Sequence, residues 1–126
     1  SVGLISCFRN NKTKDKTMLG VSPDGIKLSK KDFVINNQKQ RLEIETKGEW
    51  WWFNDIKINE KHIQFDMEKS AKKDFKIENE DIKIKRKNAT NFYIEISKNK
   101  SNTQRNFVIT LQSGNYFDYI KISQKP

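Results

Sequence analysis

The stretch Phe107-Val108-Ile109-Thr110-Leu111-Gln112-Ser113-Gly114-Asn115-Tyr116-Phe117-Asp118-Tyr119-Ile120-Lys121-Ile122-Ser123-Gln124 decides the fold. Side chains alternate across a strand, so Phe107, Ile109 and Leu111 share one face, and Ile120 and Ile122 share one face of the strand that follows. The Ser113-Gly114-Asn115 turn between them folds the two runs into a hairpin.

The same period of two recurs upstream. It is found at Phe33 and Ile35, at Leu42, Ile44 and Thr46, at Trp50 and Trp52, at Ile56 and Ile58, and at Ile63, Phe65 and Met67. It returns at Ile82 and Ile84 and at Phe92, Ile94 and Ile96. Turn-forming residues separate these runs, among them Asn36-Asn37, Lys47-Gly48, Asn54-Asp55 and Asn79-Glu80-Asp81. Glu68 to Asp74 suits one helical turn and is too short for a stable helix. An all-β, immunoglobulin-like antiparallel β-sandwich of about seven to nine strands follows, spanning residues 26–126. Its expected core is Phe33, Ile35, Leu42, Ile44, Ile94, Ile96, Phe107, Ile109, Leu111, Ile120 and Ile122, with one face of the tryptophan run.

Composition sets the limits. The chain has 126 residues, the size of one domain, of which 34% are hydrophobic and 33% charged. Its 3 Trp, 3 Tyr and 8 Phe fall in the alternating pattern, which separates it from a disordered polyelectrolyte. The net charge of +9 comes mainly from Lys, with Arg only at Arg9, Arg41, Arg86 and Arg105. Lysines alternate with Ile in Ile82-Lys83-Ile84-Lys85, as on the wet face of a half-buried strand. Nucleic acid is therefore disfavoured as a partner, because readers of it cluster their charge or carry a module signature. The single cysteine, Cys7, excludes an intrachain disulfide and a multi-cysteine zinc site.

From about Gly25 to Gln124 the sequence resembles the BACON family, the Bacteroidetes-associated carbohydrate-binding, often N-terminal domain. The likeness is carried by an opening strand ending near Phe33, by Leu42-Glu43-Ile44-Glu45-Thr46 leading through a Gly turn into a Trp, and by the C-terminal end. That end runs Ile94-Glu95-Ile96-Ser97-Lys98-Asn99-Lys100-Ser101, Arg105, Phe107-Val108-Ile109-Thr110-Leu111, a Gly-Asn turn and Ile120-Lys121-Ile122-Ser123-Gln124. In physical terms Asn99 suits a left-handed turn, Ser101 a side-chain cap, and Arg105 a tie from the loop to carbonyls or a carboxylate. The resemblance implies an exported immunoglobulin-like module found beside carbohydrate-active domains, with a proposed glycan-binding role. The Lys-rich loops and the long middle section from Glu60 to Asn91 depart from the family pattern.

Leu4-Ile5-Ser6-Cys7 resembles a lipobox. On that reading residues 1–25 are a signal-peptide remnant and polar tether, Cys7 is lipidated, and the chain is extracytoplasmic, an outer-membrane or cell-surface lipoprotein. Membrane contact is then only through the lipid at Cys7. The alternative is a free cysteine in a short apolar strand.

Trp50-Trp51-Trp52-Phe53 is the candidate binding motif. Alternation sends Trp50 and Trp52 to one face and Trp51 and Phe53 to the other, and either pair can be the outward one. The outward pair offers a platform on which a sugar ring stacks, with Asn54 and Asp55 as hydrogen-bonding partners. Tyr116, Phe117 and Tyr119 supply a second aromatic patch. No catalytic set is evident: His62 is the only histidine, and Glu60, Asp66, Glu68 and Asp74 match no calcium loop. No cofactor or metal is expected. The chain reads as a non-catalytic envelope domain that binds or displays at the surface, recognising a glycan or glycoprotein. A structural or adhesion-type protein-interaction module without a small-molecule ligand is the alternative.

Overall fold

The computed structural model describes residues 22–126. Cys7 and most of the tether lie outside the described residues. The alternating runs become strands β1 (Asp32–Ile35), β2 (Gln40–Glu45), β3 (Trp52–Ile58), β4 (Lys61–His62), β5 (Phe75–Glu78), β6 (Ile82–Asn88), β7 (Asn91–Ile96), β8 (Arg105–Ser113) and β9 (Tyr116–Gln124). They form a larger sheet in the order β1-β9-β8-β3-β4 and a smaller one in the order β2-β7-β6-β5. This is an all-β sandwich with the strand distribution of an immunoglobulin fold. One pair departs from the antiparallel pattern: β1 runs parallel to β9, Phe33 opposite Ile122. The chain ahead of β1 first touches the smaller sheet through a bridge between Leu28 and Thr46.

Alternation puts the expected residues inside. Ile35, Ile44, Ile94, Ile96, Phe107, Ile109, Leu111, Ile120 and Ile122 are buried, with Phe33 and Leu42 half-buried against them. Ile26, Trp51, Phe53, Ile56, Phe75, Ile82, Ile84 and Phe92 complete the core. The Gly114 turn has φ +63 at its first position, as a two-residue hairpin loop requires.

Two local expectations are corrected. Ile63, Phe65 and Met67 do not form a strand: after Ile63 N–H donates to Ile56 O (2.8 Å), the chain leaves the sheet. It turns instead into a short 3₁₀ helix, Lys69–Ala71, led by Asp66, whose carboxylate accepts the Lys69 amide. Ile63 and Phe65 still pack on the core. Asn99 is not left-handed; among the described residues positive φ falls on Lys27, Asn59, Glu60 and Gly114. Its amide group does the work, donating to Thr103 O (2.8 Å) and Lys125 O (3.0 Å) while its oxygen accepts from Ser101. Arg105 ties the loop as expected, reaching Ser97 O, Gln124 Oε1 and Asp81 Oδ1.

Ser22 to Gly25, assigned to the tether by sequence, dock on the domain. Ser22 bonds Asn115 in the β8–β9 turn, and Asp24 accepts the amides of Ile26 and Lys27 at 2.9 Å. Burial opposes ionisation of Asp24, but those amides and nearby Lys31 outweigh it and hold the carboxyl below its usual range. Gly48 lies against this segment so closely that a Cβ would sit 1.6 Å from Gly25 O. Gly48→Ala should therefore force the two backbones apart, at about 1–3 kcal/mol. Thermal unfolding followed by tryptophan fluorescence should show a midpoint lowered by about 5 °C or more; an unchanged midpoint would show that this approach is not constrained.

Candidate functional site

The tryptophan run enters β3 at the edge of a β-bulge. Trp52 pairs with Gln112 and Phe53 with Leu111, the register then slips, and Asp55 pairs with Thr110 and Ile56 with Ile109. One extra residue between Phe53 and Asp55 lets both Phe53 and Ile56 face the core although they are three apart in sequence. That slip settles the orientation of the motif. Trp51 and Phe53 are 0% exposed, packed edge to face with centroids 5.2 Å apart and both against Phe92. Their place in the core removes them from the candidate ligand surface. Trp50 is 66% exposed and Trp52 half-buried, their rings 5.3 Å apart at 73°.

Hydrogen bonds fix the Trp52 indole and the Trp50 backbone. Gln112 Oε1 accepts from Trp52 Nε1 (3.1 Å) and from Asn54 Nδ2 (2.9 Å), while its own amide donates to Gly114 O. Ser113 Oγ donates to Trp50 O at 2.8 Å. Asn54 is thus brought to the site as expected, but as a brace for Trp52. Gln112 was not picked out from sequence, although its outward parity in β8 was readable.

The rest of the face follows by register. Trp52, Gln112 and Phe117 form one cross-strand row, and Asp55, Thr110 and Tyr119 the next. Phe117 and Tyr119 are well exposed, so Tyr119 shares this face. Tyr116 does not: it lies one residue out of phase, on the inward side with Asp118, and packs on the core margin. Burial, with Asp118 and Asp24 nearby, raises its phenol above the usual value. Asp118 is itself buried, its Oδ2 2.9 Å from Lys31 Nζ; that bond raises the lysine above its ordinary value. His62 Nδ1 lies 2.8 Å from Asp55 Oδ1 across the β3–β4 pair. Among the described residues no cluster of His, Cys, Asp and Glu fits a metal.

Behind the motif sits Arg86, fully buried in β6 and in phase with Ile82 and Ile84. Its guanidinium lies 3.4 Å from the Trp51 ring centroid and donates to Trp51 O, Ser70 O, Glu49 O, Ala89 O and Asn88 O. Burial pulls its pKa down to about 10, so the group stays charged near neutrality. Ser70, also buried, accepts the Phe53 amide at 2.9 Å, while its one hydroxyl hydrogen has Met67 O at 2.6 Å and Phe53 O at 3.2 Å as acceptors. The short helix is thereby pinned beside the outward tryptophans. Trp50, Trp52, Met67, Glu68 and Ala71 then enclose an open recess of about 300 Å³.

The outer face of the smaller sheet is built differently. Arg41 pairs with Glu95, Lys87 with Glu43, Lys76 with Glu78 and Lys85 with Asp74, while Arg41 and Lys83 cover the Tyr93 ring. Its charges are largely answered within the chain.

No known family model and no curated protein sequence matches the chain. In structure it is similar to a protein from Bacteroides thetaiotaomicron solved by NMR, with a TM-score of 0.64 and 20% identity, over 83% of this chain and 93% of that one. At that identity the likeness is one of fold. The two tryptophan classes should separate in chemical denaturation. Trp51→Ala should cost about 3–5 kcal/mol, whereas Trp50→Ala should stay within about 0.5 kcal/mol of the parent. Equal losses for both would contradict the assigned orientation.

Proposed function

We propose that the domain is a non-catalytic envelope module that binds a glycan or glycoprotein on the outer face of its larger sheet. The exposed Trp50 beside a braced Trp52 carries this reading. A fixed aromatic platform next to water suits the C–H face of a sugar ring, and leaving such apolar surface exposed marks an interaction site. Asp55 and His62 lie on the same face and supply polar edges for hydroxyl groups. The likeness of the C-terminal motif to the BACON family agrees with this role, as does an exported, lipid-anchored setting through Cys7.

A second reading, an adhesion-type contact with a protein, is favoured by the extent of the apolar surface. Val34 is 75% exposed at the β1 edge, and Phe117 and Tyr119 are exposed farther along the same face of the sheet. Affinity electrophoresis separates the two. The parent should be retarded in gels containing at least one polysaccharide of a neutral series, and Trp50→Ala and Trp52→Ala should migrate as in polysaccharide-free gel while keeping their far-UV spectrum. A parent that no polysaccharide retards, or variants retarded as strongly as it is, would count against glycan binding and for the protein contact.

A further inference from the structure

We infer that the recess beside the outward tryptophans receives an organic ammonium, the free amine of an amino sugar, which makes the glycan reading above more specific. Three features of the recess point the same way. Its walls include two indole rings meeting at 73°, and the π faces of indole attract cations. Its lining is otherwise apolar, from Met67 and Ala71. Its one charged lining residue is Glu68.

The sign of that charge decides the ligand class. In a chain of net charge +9, the recess lining carries one carboxylate and no cationic side chain. Lys69 and Lys72 are neighbours of Glu68 and Ala71 in sequence, yet neither lines the recess. Among the described residues Glu68 forms no ion pair, and its side chain is exposed. A uronic acid or sulfated sugar would meet both the carboxylate and the negative ring faces unfavourably. An N-acetylated sugar would stack but forgo the charged partner. A protonated amine gains both interactions, and the recess, at the small end of ligand sites, suits a single sugar unit better than a long chain.

The position of the recess is built in. Ser70, one residue before Ala71, accepts the Phe53 amide, and Arg86 joins Ser70 O to Trp51 O. The acidic wall and the aromatic wall therefore hold a fixed separation before any ligand arrives.

Isothermal titration calorimetry of the whole chain with glucosamine hexamer and with N-acetylglucosamine hexamer tests this, in buffer acidic enough to keep the free amines protonated. The amine oligomer should bind about tenfold more tightly, as expected for a charge-assisted hydrogen bond. Glu68→Gln should abolish that preference without weakening the acetylated oligomer, and Trp50→Ala should weaken both. Equal affinity, a preference for the acetylated oligomer, or a preference that survives Glu68→Gln overturns the inference while leaving stacking on Trp50 intact. Binding of neither hexamer overturns it too, and the polysaccharide gels then decide separately whether the glycan reading stands.

Discussion

Among the described residues Arg86 is a buried cation with no carboxylate paired to it, and the architecture of the candidate site depends on how that charge is accommodated. Leaving an isolated charge in a protein interior is costly, so its partners must be fixed. They are backbone carbonyls, one each from Glu49, Trp51, Ser70, Asn88 and Ala89, together with the face of Trp51. Those carbonyls come from the approach to β3, from the short helix and from the β6–β7 turn. A planar fork with several donors can join segments so far apart in sequence, which an ammonium cannot. The same guanidinium that fills the core end under Trp51 therefore sets where Trp50, Trp52 and the Met67–Ala71 wall stand.

The sandwich was legible from periodicity because the aliphatic and phenylalanine core residues of β7, β8 and β9 alternate, although Tyr93 and Thr110 are buried out of phase with them. Ile94 and Ile96, Phe107 to Leu111, and Ile120 with Ile122 need no correction. The orientation of the tryptophan run was not legible. Counting back by twos from Ile56 places Trp50 and Trp52 inside, while the bulge between Phe53 and Asp55 reverses that assignment. Both pairs are aromatic, so hydrophobicity alone could not choose, and a bulge leaves no composition signal of its own. Arg86 was readable in part: it continues the phase of Ile82 and Ile84. A charged residue near the end of a strand otherwise looks like surface, and its carbonyl partners are visible only in three dimensions.

The segment from Ile63 to Met67 teaches a related lesson. Its alternation is real and still buries Ile63 and Phe65, but β4 stops at His62 and no further strand is in place to pair with it. Backbone groups without a ladder are satisfied by a turn, here one closed on Asp66 and Ser70. That turn is why Met67 and Glu68 face the tryptophans. The two outer faces differ accordingly. On the smaller sheet, opposite charges are paired across strands and over Tyr93; on the larger sheet, aromatic surface remains open beside a recess.

The Arg86 fork holds the aromatic and helical walls as one unit. Amide hydrogen exchange by NMR on the parent and on Arg86→Lys, which keeps a charge but loses the fork, tests it most directly. In the variant the amides of Phe53 and Ser70 should lose protection together by about tenfold or more, while those of the β8–β9 hairpin should lose much less. Unchanged protection at Phe53 and Ser70, or a uniform loss across both sheets, would contradict it.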